Sequence, residues 1–167
     1  KEINARVLCD ELKRWKASEE RDLLEGVLII DKLHNPLSDK QLIENRLDKI
    51  KLDAWLELKY DLPSFAKIKI LNYIMFDVHK FKGETENYHH SKNSFISQVL
   101  ETKTGNPVSL AVIYAVVAQR LNIPVYGVNL PQHFVLGYVK DLDWPPLHRY
   151  NDPSDSSEME GSEVLFY

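Results

Sequence analysis

The sequence predicts an α+β fold in which an N-terminal set of helices precedes one central helix and a small antiparallel sheet. Three observations support this prediction. Apolar residues recur every three or four positions in the first half of the chain, residues 106–121 are apolar almost all round a helix, and segments 125–130, 133–140 and 163–167 have the pattern of strands. Helices followed by antiparallel strands are typical of the α+β class.

Four helices are predicted before residue 80. The first covers residues 1–16, and the second begins at Ser18, where a capping residue precedes two glutamates. The Asn-Pro pair within residues 34–36 ends the second helix, because proline cannot continue it. The third helix covers residues 38–59 and carries Trp55 on its apolar side, where we expect it in the core, and the fourth carries apolar residues over 65–75.

The residues at the start of the central helix are those that typically begin a helix. Gly105 ends a short helix that opens at residues 92–94. Asn106 is a strong N-cap residue, and Pro107 fits the first helical position, where no backbone N–H is needed. The almost continuous apolar run that follows predicts neighbours on every side of the helix.

We predict two units, a helical unit of residues 1–80 and a core of residues 81–167, with one continuous domain as the alternative. At 167 residues, either arrangement can bury a sizeable core. The apolar, strand-like end at residues 164–167 is an unusual terminus, so we expect the chain to be a piece of a longer protein.

Composition narrows the classes of function. The net charge of −4 gives no basic footprint for nucleic acid, and no apolar run approaches the roughly 18 residues of a membrane span. Cys9 is the single cysteine, which excludes an internal disulfide and a cysteine-based zinc site; we expect it to be buried as a small apolar side chain. His79 and His89-His90 lack acidic residues at the spacing of a metal site. We therefore expect a cytoplasmic protein with no metal, cofactor, nucleic-acid or membrane partner.

His133 is the main candidate for chemistry. It stands at the start of the strand after the central helix, where an imidazole can face the first turn of that helix. Papain-like enzymes need this arrangement, with a nucleophile whose pKa is lowered by the helix dipole. Ser109 is the hydroxyl in that first turn, and it can equally bond the cap or the backbone. A structural histidine remains the alternative for His133.

Several motifs resemble the SirB-type branch of the transglutaminase-like superfamily. They are Phe81-Lys82-Gly83, Asn93-Ser94-Phe95, the run from Val99 to Leu110 with its Asn106-Pro107-Val108-Ser109-Leu110 block, and the run from Gly127 to Phe134. The resemblance implies a papain-like core, with cysteine at a helix N-terminus, histidine on the next strand and aspartate on the strand after it. It covers the chain from about residue 20 to the end.

The resemblance also implies roles for single residues. His133 matches the family histidine, whereas the cysteine position falls at Asn106 or Pro107, neither of which can attack a carbonyl. Ser109 is the nearest hydroxyl, and the third member of the triad is expected beyond Tyr167.

Our leading hypothesis is a transglutaminase-like domain without its thiol nucleophile that acts as a binding or regulatory module. A peptide or partner loop is expected in the groove between the start of helix 106–121 and strand 133–140, near His133. Asn93, Gln132 and Tyr138 are the expected binding contacts. The alternatives are a hydrolase or acyltransferase using Ser109 and His133, and a structural domain whose helical half mediates interaction.

Overall fold

The computed structural model of the protein describes residues 2–59, 61–84, 91–130, 133–139 and 162–165. Within these ranges the chain forms six α-helices and five strands, which confirms the predicted α+β class. The helices are α1 (Glu2–Ala17), α2 (Leu23–His34), α3 (Lys40–Glu57), α4 (Ser64–Asn72), α5 (Ile96–Thr102) and α6 (Pro107–Arg120). The strands are β1 (Lys82–Gly83), β2 (Thr104–Gly105), β3 (Val125–Leu130), β4 (His133–Val139) and β5 (Ser162–Leu165).

The start of α2 differs from the sequence prediction. The helix begins at Leu23, and the carboxylate of Asp22, rather than the hydroxyl of Ser18, caps it by accepting the N–H of Glu25 at 2.8 Å. Ser18 is instead turned back onto the end of α1, where its hydroxyl donates to the carbonyl oxygen of Trp15 at 2.7 Å. Two capping residues stand four positions apart, and the sequence prediction chose the wrong one.

Two predicted helices have irregular ends. The fourth was expected to continue regularly to Met75, but the α-helix ends at Asn72 and a π-helical segment, Tyr73–Val78, carries the chain onward. The short helix before the central one is preceded by a 3₁₀ turn, Ser91–Ser94. Lys103, in the left-handed conformation with φ 61°, closes α5 where a helix end at Gly105 was predicted.

The sheet is antiparallel, with strand order β3-β4-β5. Tyr126 pairs with Gly137 in the first hairpin, and Tyr138 pairs with Glu163 at the second interface. A separate parallel pair, β1 with β2, joins Lys82 to Thr104 immediately before α6. These two-residue strands were not predicted, because two residues carry no periodicity to detect.

α6 lies at the centre and contacts α3 and α5 as well as β3 and β4. One buried cluster includes residues of both predicted units, from Leu24 in α2 to Tyr138 in β4. Most of α6 is buried in that cluster, as its apolar sequence predicted. Among the described residues, no helix has the length and apolarity needed to cross a membrane.

Two side chains expected inside lie outside. Cys9 is exposed on α1, so its predicted burial is wrong. Trp55 was predicted as a core residue, but its side chain is 61% exposed. It belongs to the outer face of α3 together with Leu52 and Leu56, whereas the helix buries another face, through Ile43, Leu47, Ile50 and Ala54.

Candidate functional site

The first turn of α6 is closed by hydrogen bonds to the 3₁₀ turn before it. The side-chain oxygen of Asn106 accepts the N–H of Ser109 at 2.8 Å, which is the predicted N-cap. The amide nitrogen of the same side chain donates to Ser94 Oγ at 2.9 Å, and the backbone N–H of Asn106 donates to the Asn93 carbonyl oxygen at 3.0 Å. Asn106 therefore joins two segments, and its own polar atoms are occupied.

Ser109 also bonds to the backbone. Its side chain is buried, with Oγ 2.6 Å from the Asn93 carbonyl oxygen and 3.0 Å from the Asn106 carbonyl oxygen. Both oxygens only accept, so the single hydroxyl proton of Ser109 is donated to them. Gly105 leaves room for this hydroxyl, because a Cβ there would stand 2.6 Å from Ser109 Oγ.

The other predicted site residues fall in different places. Asn93 is buried and contributes its carbonyl oxygen to the network described above. Tyr138 is buried in the hydrophobic core, with 1% of its surface exposed. The backbone of His133 opens β4 opposite Leu130, but its side chain, like the whole of Gln132, lies outside the described residues.

A cavity of about 790 Å³ lies beside the next turns of α6. One wall comes from the end of α1 and the start of α2, a second from α6 and a third from the β3–β4 hairpin. Its lining residues are Trp15, Lys16, Arg21, Leu23, Ala111, Val112, Ala115, Gln119, Val125, Tyr126, Gly127, Phe134 and Leu136. This volume is in the range of ligand pockets in proteins, roughly 300–1,000 Å³.

The α1 wall of the cavity is fixed by Trp15. Its indole N–H donates to the Asp22 carbonyl oxygen at 2.7 Å, and its ring lies so close to Gly26 that a Cβ there would be 2.6 Å from the ring. The sequence reasoning missed this wall because Trp15, Lys16 and Arg21 are about a hundred residues away from the motif positions. The small side chains of Ala111 and Ala115, recurring along one face of α6, were the one available signal.

A second polar cluster lies where α3 meets the π-helical segment. His79 Nε2 is 2.8 Å from Asp53 Oδ2, and burial lowers the pKa of His79 more than this contact raises it. Burial, followed by Arg46 and Lys49, lowers the pKa of Lys103. In the described part of the chain, no three His, Cys, Asp or Glu side chains come together as a metal site.

Comparison with known proteins agrees with the fold. Residues 41–165 match the model of a family described as the transglutaminase-like superfamily. F-box only protein 21 of Homo sapiens is 31% identical over an aligned length of 143 residues, and the alignment covers 72% of this chain and 23% of that protein. A UPF0162 protein of Vibrio cholerae is 29% identical over 137 residues, which are 82% of this chain and 47% of that protein.

A UPF0162 protein of Xylella fastidiosa is 41% identical over 95 residues, 56% of this chain and 34% of that protein. The chain thus spans about a quarter to a half of the length of these curated relatives. No solved structure matches it significantly.

Proposed function

The chain belongs to the transglutaminase-like superfamily, and we propose that it acts there as a non-catalytic domain that binds a peptide segment of a partner protein. Such binding would make it a regulatory module rather than a hydrolase or transferase. The observation that carries the proposal is the first turn of α6, where Asn106 and Pro107 stand at the position expected for a nucleophile.

The hydrogen bonds of that turn argue against nucleophilic chemistry. An amide and a proline have no nucleophile to offer, and activation of a serine requires its hydroxyl to donate to a general base. The Ser109 hydroxyl is buried and donates to backbone carbonyl oxygens. A hydrolase that uses Ser109 would first have to break the bonds that hold the start of α6.

The cavity supports the binding half of the proposal. It lies between α6 and the β3–β4 hairpin, about one helical turn beyond the Asn106 cap, whereas the peptide groove was expected at the start of α6 beside His133. Its lining combines apolar side chains with a few polar ones, which is typical of ligand sites. We place this binding in the cytoplasm, because the one cysteine, Cys9, is exposed and a reducing compartment would keep it as a thiol.

A fluorophosphonate probe tests the catalytic half. We expect no covalent labelling of the wild-type chain beyond that of Ser109→Ala. The matched control is Ser94→Ala, which removes an exposed hydroxyl of the same network. Labelling that disappears in Ser109→Ala and His133→Ala but persists in Ser94→Ala would replace the proposal with the hydrolase alternative.

Photo-crosslinking tests the binding half. The photoreactive residue p-benzoylphenylalanine replaces Val112 in the cavity or Leu52 on the exposed face of α3. The variant is then irradiated in cells that naturally produce the protein. We expect protein adducts from position 112 and none from position 52. Adducts from position 52 alone would favour interaction through the helical half instead.

A further inference from the structure

We infer that the segment bound in this cavity is an extended strand that pairs with the outer edge of β3, carries apolar side chains at alternate positions and has acidic residues facing Lys16 and Arg21. The inference rests on the proposed function and specifies the chemistry of the ligand. Three features of the described residues carry it: a strand edge, an apolar floor and two cations.

The strand edge comes from the sheet order. β3 is a terminal strand, because the order is β3-β4-β5, and within the described part of the chain no strand pairs with its outer side. Residues 125–127 of β3 line the cavity, and because the Val125 N–H already donates to the Ile123 carbonyl oxygen at 3.0 Å, an added strand would pair from residue 127 onward. An exposed edge can accept an added strand through main-chain hydrogen bonds, while a neighbouring pocket selects the side chains.

The floor suits alternate apolar side chains. Ala111, Val112 and Ala115 present small or branched side chains from α6, and Phe134 and Leu136 present apolar ones from β4. Side chains on one face of an extended strand are about 7 Å apart. The cavity of about 790 Å³ is large enough in volume for two such side chains.

Two cations at the rim of the cavity, Lys16 and Arg21, indicate the charge of the bound segment. Lys16 and Arg21 line the cavity, no lining residue is acidic, and neither cation forms an ion pair with another described residue. Glu19, Glu20 and Asp22 adjoin Arg21 in the chain, but none of the three lines the cavity, and the Asp22 carboxylate caps α2 by accepting the N–H of Glu25. The two charged residues that line the cavity are therefore both cations, although the chain carries a net charge of −4, and they favour acidic residues in the bound segment.

A positional-scanning library of seven-residue peptides tests the inference. The full chain is presented with pools in which one position is fixed at a time. We expect selection of phenylalanine, valine, isoleucine or leucine at two positions separated by one, and of aspartate or glutamate at a flanking position. Selection of basic residues, or of no residue at any position, would overturn the inference.

The selected peptide is then measured by fluorescence anisotropy against variants. Lys16→Glu and Arg21→Glu should each weaken binding about fivefold, because each replaces an attractive charge by a repulsive one at an exposed site. Lys59→Glu, the same change at an exposed lysine outside the cavity, should leave the affinity unchanged. Equal effects of all three variants would show attraction by overall charge and would contradict a specific rim.

Backbone methylation tests the added strand. Two versions of the peptide are N-methylated at odd or at even positions, and only one set of N–H groups can face β3. We expect one version to lose at least tenfold in affinity and the other to bind nearly as well. Equal tolerance of both would rule out strand addition, whereas adducts from position 112 in the crosslinking experiment would still support a binding domain.

Concentration-dependent dimers that compete with the peptide would identify a second copy of the chain as the occupant and would also overturn the inference.

Discussion

The contacts of α6 with helical segments and its contacts with the sheet are built differently. In the contacts with helical segments, buried polar groups are joined in directional pairs: the Tyr114 hydroxyl donates to Asn72 Oδ1 at 2.8 Å, and Ser109 donates to the Asn93 carbonyl oxygen. On the side of the sheet, Ala111 and Ala115 face a cavity instead of a close-packed partner. Among the described residues, every buried side-chain nitrogen and oxygen has a hydrogen-bond partner.

This difference separates stability from binding. Hydrogen bonds between buried groups fix the position of one segment on another, and losing a partner leaves a costly unpaired group. A cavity lined by small residues adds little stability, but it leaves room for a ligand. Substitutions on the helical side should therefore lower the free energy of unfolding, and substitutions at the rim of the cavity should change affinity with little effect on stability.

Asp31→Ala should have the largest effect. This carboxylate is 1% exposed and accepts three hydrogen bonds, from the N–H of Ser97 at 3.1 Å, from its hydroxyl at 2.8 Å and from the hydroxyl of Ser38. Hydrogen bonds to charged groups are the stronger ones, so we expect a loss of about 3 kcal/mol in urea unfolding. Asp10→Ala, which removes an exposed carboxylate paired with Lys13, should cost less than about 0.5 kcal/mol. Equal losses would show that the helical side does not depend on its buried pairs.

Gly105→Val comes next, because it crowds the start of α6. Its Cβ would stand 2.6 Å from Ser109 Oγ and 2.9 Å from Val99 Cγ1. Overpacking of this kind costs about 2 kcal/mol. The matched control is Gly83→Val, at the strand position paired with Gly105, where a Cβ meets nothing within 4 Å. If both variants unfold at the same urea concentration as the wild type, the first turn of α6 is packed less tightly than its contacts indicate.

The sequence was sufficient for the elements whose signals are local. Asn106 and Pro107 predicted the start of α6 to the residue, and alternation predicted β3 and β4. The spacing of apolar residues predicted that α3 is a helix. The helix has two apolar faces, however, and the prediction buried the face that carries Trp55, which is exposed. Which face is buried depends on the partners of the helix, and a single helix does not contain that information.

The cavity could not be predicted for the same reason. Its walls join the end of α1 to residues about a hundred positions later, and the contact of Trp15 with Gly26 holds the end of α1 against α2. No motif connects these positions in the sequence. The start of α6 was predicted from its local cap residues, and the family resemblance pointed to it as a site, whereas the hydrogen bonds of the Ser109 hydroxyl could be seen only in the structure.

Ser109→Ala should have a smaller effect than the two variants above. It removes the hydroxyl, but the Asn93 carbonyl oxygen keeps the N–H of Asn106 as a donor. We expect a loss of about 1 kcal/mol, the net value of one buried hydrogen bond. Ser94→Ala at the exposed end of the network should cost less, and urea unfolding of both variants measures the difference. If Ser109→Ala were as stable as the wild type, the hydroxyl would have no structural role, and a functional role for Ser109 would have to be considered again.

His79→Gln should have the smallest effect, visible as a change in pH dependence. Burial lowers the pKa of His79 below its usual 6.5, so the unfolded chain takes up a proton at a higher pH than the folded chain. The contribution of His79 to stability is therefore present above pH 6.5 and is lost as the pH falls below it. Between about pH 7.5 and about pH 5.5, thermal melting should show a larger loss of stability for the wild type than for His79→Gln. His34→Gln, at an exposed histidine stacked on Phe95, is the control for the chemical change. If His79→Gln lost as much stability as the wild type over this pH range, the pKa of His79 would not be lowered in the folded chain, and its burial beside Asp53 would carry no pH-dependent cost.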